Sequence, residues 1–154
     1  MYAQQTQVST DKSRAEIERT LQRYGADQFM YGWDANKALV GFRMQNRQVR
    51  FVLPLPDRHD AAFIQTDTGR ERSETAAFKA WEQACRQKWR ALALVIKAKL
   101  EAVESGIAIF DEEFLANIVL PDNTTVGKVM LPQINKAYET GKMPPLLPDL
   151  TGKE

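Results

Sequence analysis

Residues 28–54 read QFMYGWDANKALVGFRMQNRQVRFVLP, and the alternation in this stretch decides the fold. Successive side chains of a strand point to opposite faces, so apolar residues two apart share a face. Phe29, Tyr31 and Trp33 do so, then Val40, Phe42 and Met44, then Val49, Phe51 and Leu53. Short connections at Ala35-Asn36 and Asn46-Arg47 suit two-residue hairpin loops, because Asn tolerates positive φ. The first loop pairs Trp33 with Ala38, Tyr31 with Val40 and Phe29 with Phe42. The second pairs Met44 with Val49, Phe42 with Phe51 and Val40 with Leu53. Every large apolar residue then lands on one face, and a slip of one residue would scatter them. The stretch predicts a three-stranded antiparallel meander over about 28–54.

The same register sets Arg43 directly opposite Arg50 on the other face, with Gln28 beside them. Opposed arginines repel unless something neutralises them. A carboxylate from elsewhere in the fold would do so, and so would an anionic ligand such as a phosphate backbone. The sequence leaves both readings open.

Working outward, Pro54-Leu55-Pro56-Asp57 ends the sheet, since proline cannot continue a central strand. Residues 57–72 form a long loop with the only histidine, His59, and a turn at Gly69; Phe63 and Ile64 anchor it. Loops this long are functional or mobile. Ser73 caps a helix over about 74–104, roughly 47 Å at 1.5 Å per residue. Trp81, Cys85, Trp89, Leu92, Ile96, Leu100 and Val103 make its apolar stripe, and no Pro or Gly interrupts it. A helix longer than the sheet it covers must overhang it.

On the N-terminal side, Ser13 and Glu16 have capping-box spacing and open a helix to about Tyr24, with Gly25 as its stop. Residues 1–12 are polar and without periodicity and read as a disordered N-terminus. Beyond the long helix, Asp111-Glu112-Glu113 opens a short helix with acid at its positive end. Thr125 caps a last helix to about Thr140, with Val126, Val129, Met130, Ile134, Ala137 and Tyr138 on its buried side. Pro132 should kink or restart it. Residues 143–154 read as a proline-rich extended tail. The organisation is one α+β domain over 13–142, in which the meander packs on the long helix, with N- and C-terminal helices.

The chain of 154 residues is the size of one ordinary domain. Cys85 is its only cysteine, which excludes an internal disulfide and points to a reducing, cytoplasmic compartment. The first residues lack the apolar core of a signal peptide, and the longest apolar run, Ala91–Ile96, is too short for a bilayer. No membrane contact is expected. Net charge is +1, unevenly spread. Residues 1–100 hold 17 Lys and Arg against 11 Asp and Glu, and residues 101–154 hold 4 against 9. That asymmetry reads either as helix-end preference or as a basic face able to meet an anion.

Catalytic chemistry has little to build on. One His and one Cys make no zinc set. Neither a P-loop nor a dinucleotide glycine motif is present, and no cofactor is expected. His59 reads as a solvated loop residue and Cys85 as an inert small hydrophobe. Asp57, Asp60 and Asp67 share a loop and could hold Mg²⁺ in a small nuclease, but no Glu-x-Lys follows on a strand. The candidate nucleic-acid or anion-binding residues are Arg43, Arg47 and Arg50 on the hairpin and Arg70 and Arg72 on the loop. The aromatic residues share the core face, so base stacking is not indicated. The leading expectation is a non-enzymatic protein that binds nucleic acid. The alternative is a protein-interaction module, self-associating through the long helix or occupying another protein. A small metal-dependent nuclease or hydrolase comes third.

Four stretches, SRAEIERTLQRYGADQFMYGWD (13–34), VGFRMQNRQVRFVLPLPD (40–57), AWEQACRQKWRALALVIKAKLEAVE (80–104) and FLANIVLPDNTTVGKVMLPQI (114–134), resemble an uncharacterised family of small proteins encoded by bacteriophages and prophages. The resemblance implies a viral or mobile-element setting. Accessory DNA metabolism (replication, recombination) or counter-defence, by binding nucleic acid or a host or phage protein in the cytoplasm of a bacterial host, is the expected role there. It carries no catalytic residue or cofactor to any position of this chain.

Overall fold

The computed structural model describes residues 2–143. Helix α1 (Tyr2–Tyr24) leads into strands β1 (Gln28–Trp33), β2 (Lys37–Met44) and β3 (Arg47–Pro54). A short helix α2 (Ala61–Ile64) lies in the loop before the long helix α3 (Glu74–Glu104). Helix α4 (Phe110–Glu113), a 3-10 turn (Leu115–Asn117) and helix α5 (Val126–Thr140) follow. The three strands form one antiparallel sheet in the order β1-β2-β3, and the architecture is α+β.

The first hairpin has the register read from the sequence: Trp33 pairs with Ala38, Tyr31 with Val40 and Phe29 with Phe42. Asp34 Oδ1 closes its loop, accepting from the backbone N–H of Asn36 at 2.8 Å and of Lys37 at 2.9 Å. These two donors hold the Asp34 carboxyl below its usual range.

The second hairpin differs. Its loop is Gln45-Asn46, not Asn46-Arg47, and both loop residues have positive φ, 51° and 61°. That is the mirror-image turn whose twist matches a hairpin. Val40 therefore pairs with Phe51 and Phe42 with Val49. Arg43 faces Gln48, and Arg50 faces Gly41, so the two arginines are diagonal neighbours rather than opposed. The shift is two residues, which leaves every side chain on its expected face. Alternation has period two and cannot detect it.

Helices α1 and α3 pack on each other and over one face of the sheet. Ile17 and Leu21 of α1 meet Trp89, Leu92, Ile96 and Leu100 of α3 above Val40, Phe42, Val49 and Phe51. Phe114 closes the far side, edge-on to Phe42 and Phe51 with ring centroids 5.8 and 6.3 Å away. Ser73 caps α3 by accepting from Ala76 N–H, and the helix runs for 31 residues. Helices α2 and α4 also pack on it. Trp81 Nε1 donates to the Pro56 carbonyl at 2.8 Å and ties the loop to α3.

Three further expectations need correction. Helix α1 begins at Tyr2, so Ser13 and Glu16 lie inside it and residues 2–12 are helical. Their polarity hides this, but no Gly or Pro interrupts residues 2–24, and Asp11 pairs with Arg14 one turn on at 2.8 Å. The 57–72 loop is folded on itself, with Asp60 capping α2 and Gln65 bridging to Glu71. Helix α5 starts at the Thr125 cap and ends at Gly141 as read, and it runs through Pro132. It buries no residue. Ile134 and Tyr138, expected inside, are 41% and 87% exposed. The expected proline-rich tail lies, apart from Met143, outside the described residues.

No helix among the described residues is long and apolar enough to cross a membrane.

Candidate functional site

The predicted arginines are dispersed and mostly engaged. Arg43 Nε lies 3.7 Å from Asp27, and its guanidinium donates to Asn46 Oδ1 at 3.4 Å. Arg47 pairs with Asp111 at 3.3 Å. Arg50 donates to Oδ1 and the carbonyl of Asn123, at 3.2 and 2.8 Å. Asn123 reaches it because residues 118–119 lie along the free edge of β3, where Ile118 bridges to Val49. Arg72 donates to the Phe63 carbonyl at 3.4 Å. Arg70 is exposed on the loop turn, where its own N–H donates to Thr66 Oγ1. Two ion pairs join the basic and acidic parts of the chain: Arg47 meets Asp111, and Lys99 meets Glu113 at 3.4 Å. Such exposed pairs contribute at most about 1 kcal/mol each.

The loop carboxylates serve turns. Asp57 accepts from the His59 N–H at 2.8 Å, and Asp60 from the Ala62 N–H at 2.9 Å. No three His, Cys, Asp or Glu among the described residues come together to hold a metal ion.

The concave site lies at the other end of the sheet. It is a cavity of about 380 Å³, within the range of small-ligand pockets. Four segments build it. Helix α1 gives Thr10, Asp11 and Arg14; the first hairpin gives Tyr31, Trp33, Asp34 and Ala35. The chain after β3 gives Leu55 and Arg58, and α3 gives Phe78, Trp81, Cys85 and Trp89. All three tryptophans of the chain line it.

Its inner wall is apolar. Trp89 and Cys85 are buried, and Trp81 is fixed by its bond to Pro56. Burial, reinforced by the nearby Glu82 carboxylate, pushes the Cys85 thiol up to about 11. A thiol so placed is a wall, not a nucleophile. The mouth is aromatic and charged. Trp33 is 74% exposed, and Tyr31 is also exposed. The Arg14 guanidinium stacks on Tyr31, 4.0 Å from the ring centroid, and that of Arg58 on Phe78 at 4.5 Å. Asp11 and Asp34 balance these two cations.

Sequence reading put Phe29, Tyr31 and Trp33 on the core face, which is correct. At the end of β1 that face is only partly covered, and Tyr31 and Trp33 remain exposed. Strand β1 is the sheet edge, and at its end Arg14 of α1 reaches over Tyr31 while Trp33 stays exposed. An indole at a strand end, next to a turn, was the available signal. Arg14 and Arg58 carried no signal, because their aromatic partners lie 17 and 20 positions away.

Arg43, Arg47 and Arg50 belong to the Gln45-Asn46 end of the sheet, whereas the pocket opens at the Ala35-Asn36 end. Seven residue steps of β2 separate these ends, roughly 24 Å at 3.4 Å per residue.

Comparison with protein-family models, with curated proteins and with solved structures finds no match.

Proposed function

We propose that the protein is a non-enzymatic binding protein for single-stranded nucleic acid, and that the aromatic pocket, rather than the basic hairpin, is its principal contact. The observation that carries this reading is the exposed Trp33 indole beside Tyr31, with Arg14 and Arg58 at the same rim. Single strands are held by aromatic rings on which bases stack and by arginines that meet phosphate. A stacked base contributes about 1–3 kcal/mol. The apolar wall of Trp81, Trp89 and Cys85 suits the flat face of a base better than a phosphate. Asp11 and Asp34 limit the net positive charge at the rim, so stacking carries more of the affinity than charge does.

That balance gives a quantitative test. Two phosphate contacts imply a log–log salt slope of about −1.4 for a single strand. Tryptophan emission should be quenched by a single-stranded oligonucleotide, with affinity falling less than about tenfold for a fourfold rise in salt. Trp33→Ala should weaken binding by about tenfold or more. Unchanged emission in excess single strand would sink the proposal, as would equal affinity after Trp33→Ala. A much steeper salt slope would return the argument to the dispersed arginines.

A protein-interaction module is the second reading. The uncovered apolar residues of α5 favour it.

A further inference from the structure

Helix α5 carries an apolar stripe without a cover. Leu131 is 57% exposed, Ile134 41% and Tyr138 87%, at spacings of three and four along one face. Past the helix end Met143 is 80% exposed, and Leu115, on the 3-10 turn against which α5 packs, is 51% exposed. That turn is the helix's main contact. A lone helix of this length is marginal in water, and Pro132 removes one of its hydrogen bonds.

We propose that this face is covered by a second copy of the chain, α5 laid antiparallel on α5. The charges beside the stripe argue for self-pairing. Lys128 and Glu139 are eleven residues apart, about 20° on the helical wheel, so both lie on one flank of the stripe. An antiparallel pair brings each flank against the same flank of the other copy. Lys128 of one chain then faces Glu139 of the other, and the two-fold axis repeats the ion pair at the opposite end. In this register Ile134 sits beside the axis and packs near its own symmetry mate, with Leu131 and Tyr138 to either side.

The area agrees. Five residues exposing on the order of 100–150 Å² each give roughly 500–700 Å², at or above the largest patch of a typical monomer. A standard interface takes about 800 Å² per partner. The stripe thus supports a modest dimer that dissociates on dilution. Self-association is placed on α5 rather than on the long helix α3, whose stripe is already buried under α1 and against the sheet.

Sedimentation equilibrium of the full chain, from low micromolar to near-millimolar concentration, tests this. The mass should rise from one chain to two and stop there. Ile134→Glu should weaken the dimer by at least about tenfold, and Leu131→Ser by less. Lys128→Glu and Glu139→Lys should each weaken it, because each sets like charges together at both ends; the double exchange should restore it. All four positions are exposed or partly exposed, and helical circular dichroism would verify the fold. Should Ile134→Glu unfold the chain, the charge exchange carries the test alone. A monomer at every concentration overturns the proposal. So does a dimer indifferent to Ile134→Glu, growth beyond two chains, or a double exchange no tighter than the singles. A monomer whose α5 amides are protected would mean that the chain's own C-terminal residues cover the stripe.

Discussion

Helices α3 and α5 begin alike. Each starts at a hydroxyl residue, Ser73 or Thr125, whose side chain accepts from the backbone N–H three positions on. Each carries apolar residues at spacings of three and four. Yet α3 buries seven residues, including Trp89, Ile96 and Leu100, while α5 buries none. The difference teaches what amphipathic spacing encodes. It says which side of a helix avoids water, and it says nothing about what removes the water. For α3 the cover is α1 and the sheet. For α5, within the described residues, it is one turn of 3-10 helix.

The comparison can be broken most directly by truncating both stripes. Ile96→Ala should cost about 2–5 kcal/mol in urea unfolding, because Ile96 is fully buried. Ile134→Ala should cost less than about 0.5 kcal/mol at concentrations where the chain is monomeric. Similar losses at both positions would mean that α5 is packed after all.

Gly127→Ala probes a close contact of α5. A Cβ there would sit 2.9 Å from the Ala116 carbonyl oxygen, a backbone atom that cannot simply rotate away. Overpacking of this kind costs about 1–3 kcal/mol, against about 1 kcal/mol gained in helix propensity. Hydrogen exchange should accelerate in α5 and stay unchanged in α3. Acceleration in both would show that the two helices open as one unit.

Removing the caps separates them more gently. Ser73→Ala and Thr125→Ala each remove one bond worth about 1 kcal/mol. The first should lower the global unfolding midpoint. The second should appear only in exchange at the start of α5.

The smallest effect concerns the Cys85 thiol on the covered helix. Its pKa, moved from 9.0 to about 11, cuts the thiolate fraction at pH 8 by roughly 100-fold. Alkylation should be correspondingly slow until the chain unfolds. A raised acid favours the native state fully below the unfolded value, and the contribution is lost as pH climbs towards 11. The melting temperature should therefore decline above pH 9, and Cys85→Ala should flatten that decline. Rapid labelling of the native thiol would contradict the burial.

Where the sequence was legible, a single local rule sufficed. The bounds of α3 follow from Ser73 at one end and Ser105-Gly106 at the other, with unbroken helix formers between. The first hairpin follows from the alternation of Phe29, Tyr31 and Trp33 and the short Ala35-Asn36 loop. The second hairpin was read two residues out, because Gln45-Asn46 and Asn46-Arg47 both place an Asn in the loop and both preserve the faces. The start of α1 was missed because its first residues are polar all round. The pocket was not legible, since it gathers side chains from residues 10–14, 31–35, 55–58 and 78–89, and no spacing rule spans those separations. The charge asymmetry was visible, but the pairing of Arg47 with Asp111 needed the chain to fold back over 64 positions.

The packing of α1 on α3 also sets a schedule. Tyr24 and Glu101, hydrogen-bonded at 3.1 Å, are 77 residues apart. At about 5–20 residues per second of synthesis, Ile17 and Leu21 wait roughly 4–15 s for their partners to be made. The meander is complete well before then, since its three strands fall within residues 28–54. The nascent sheet should thus form first and hold an open apolar face until α3 arrives. Arrested nascent chains ending before and after residue 104, compared by limited proteolysis, would show whether α1 becomes protected only in the longer one.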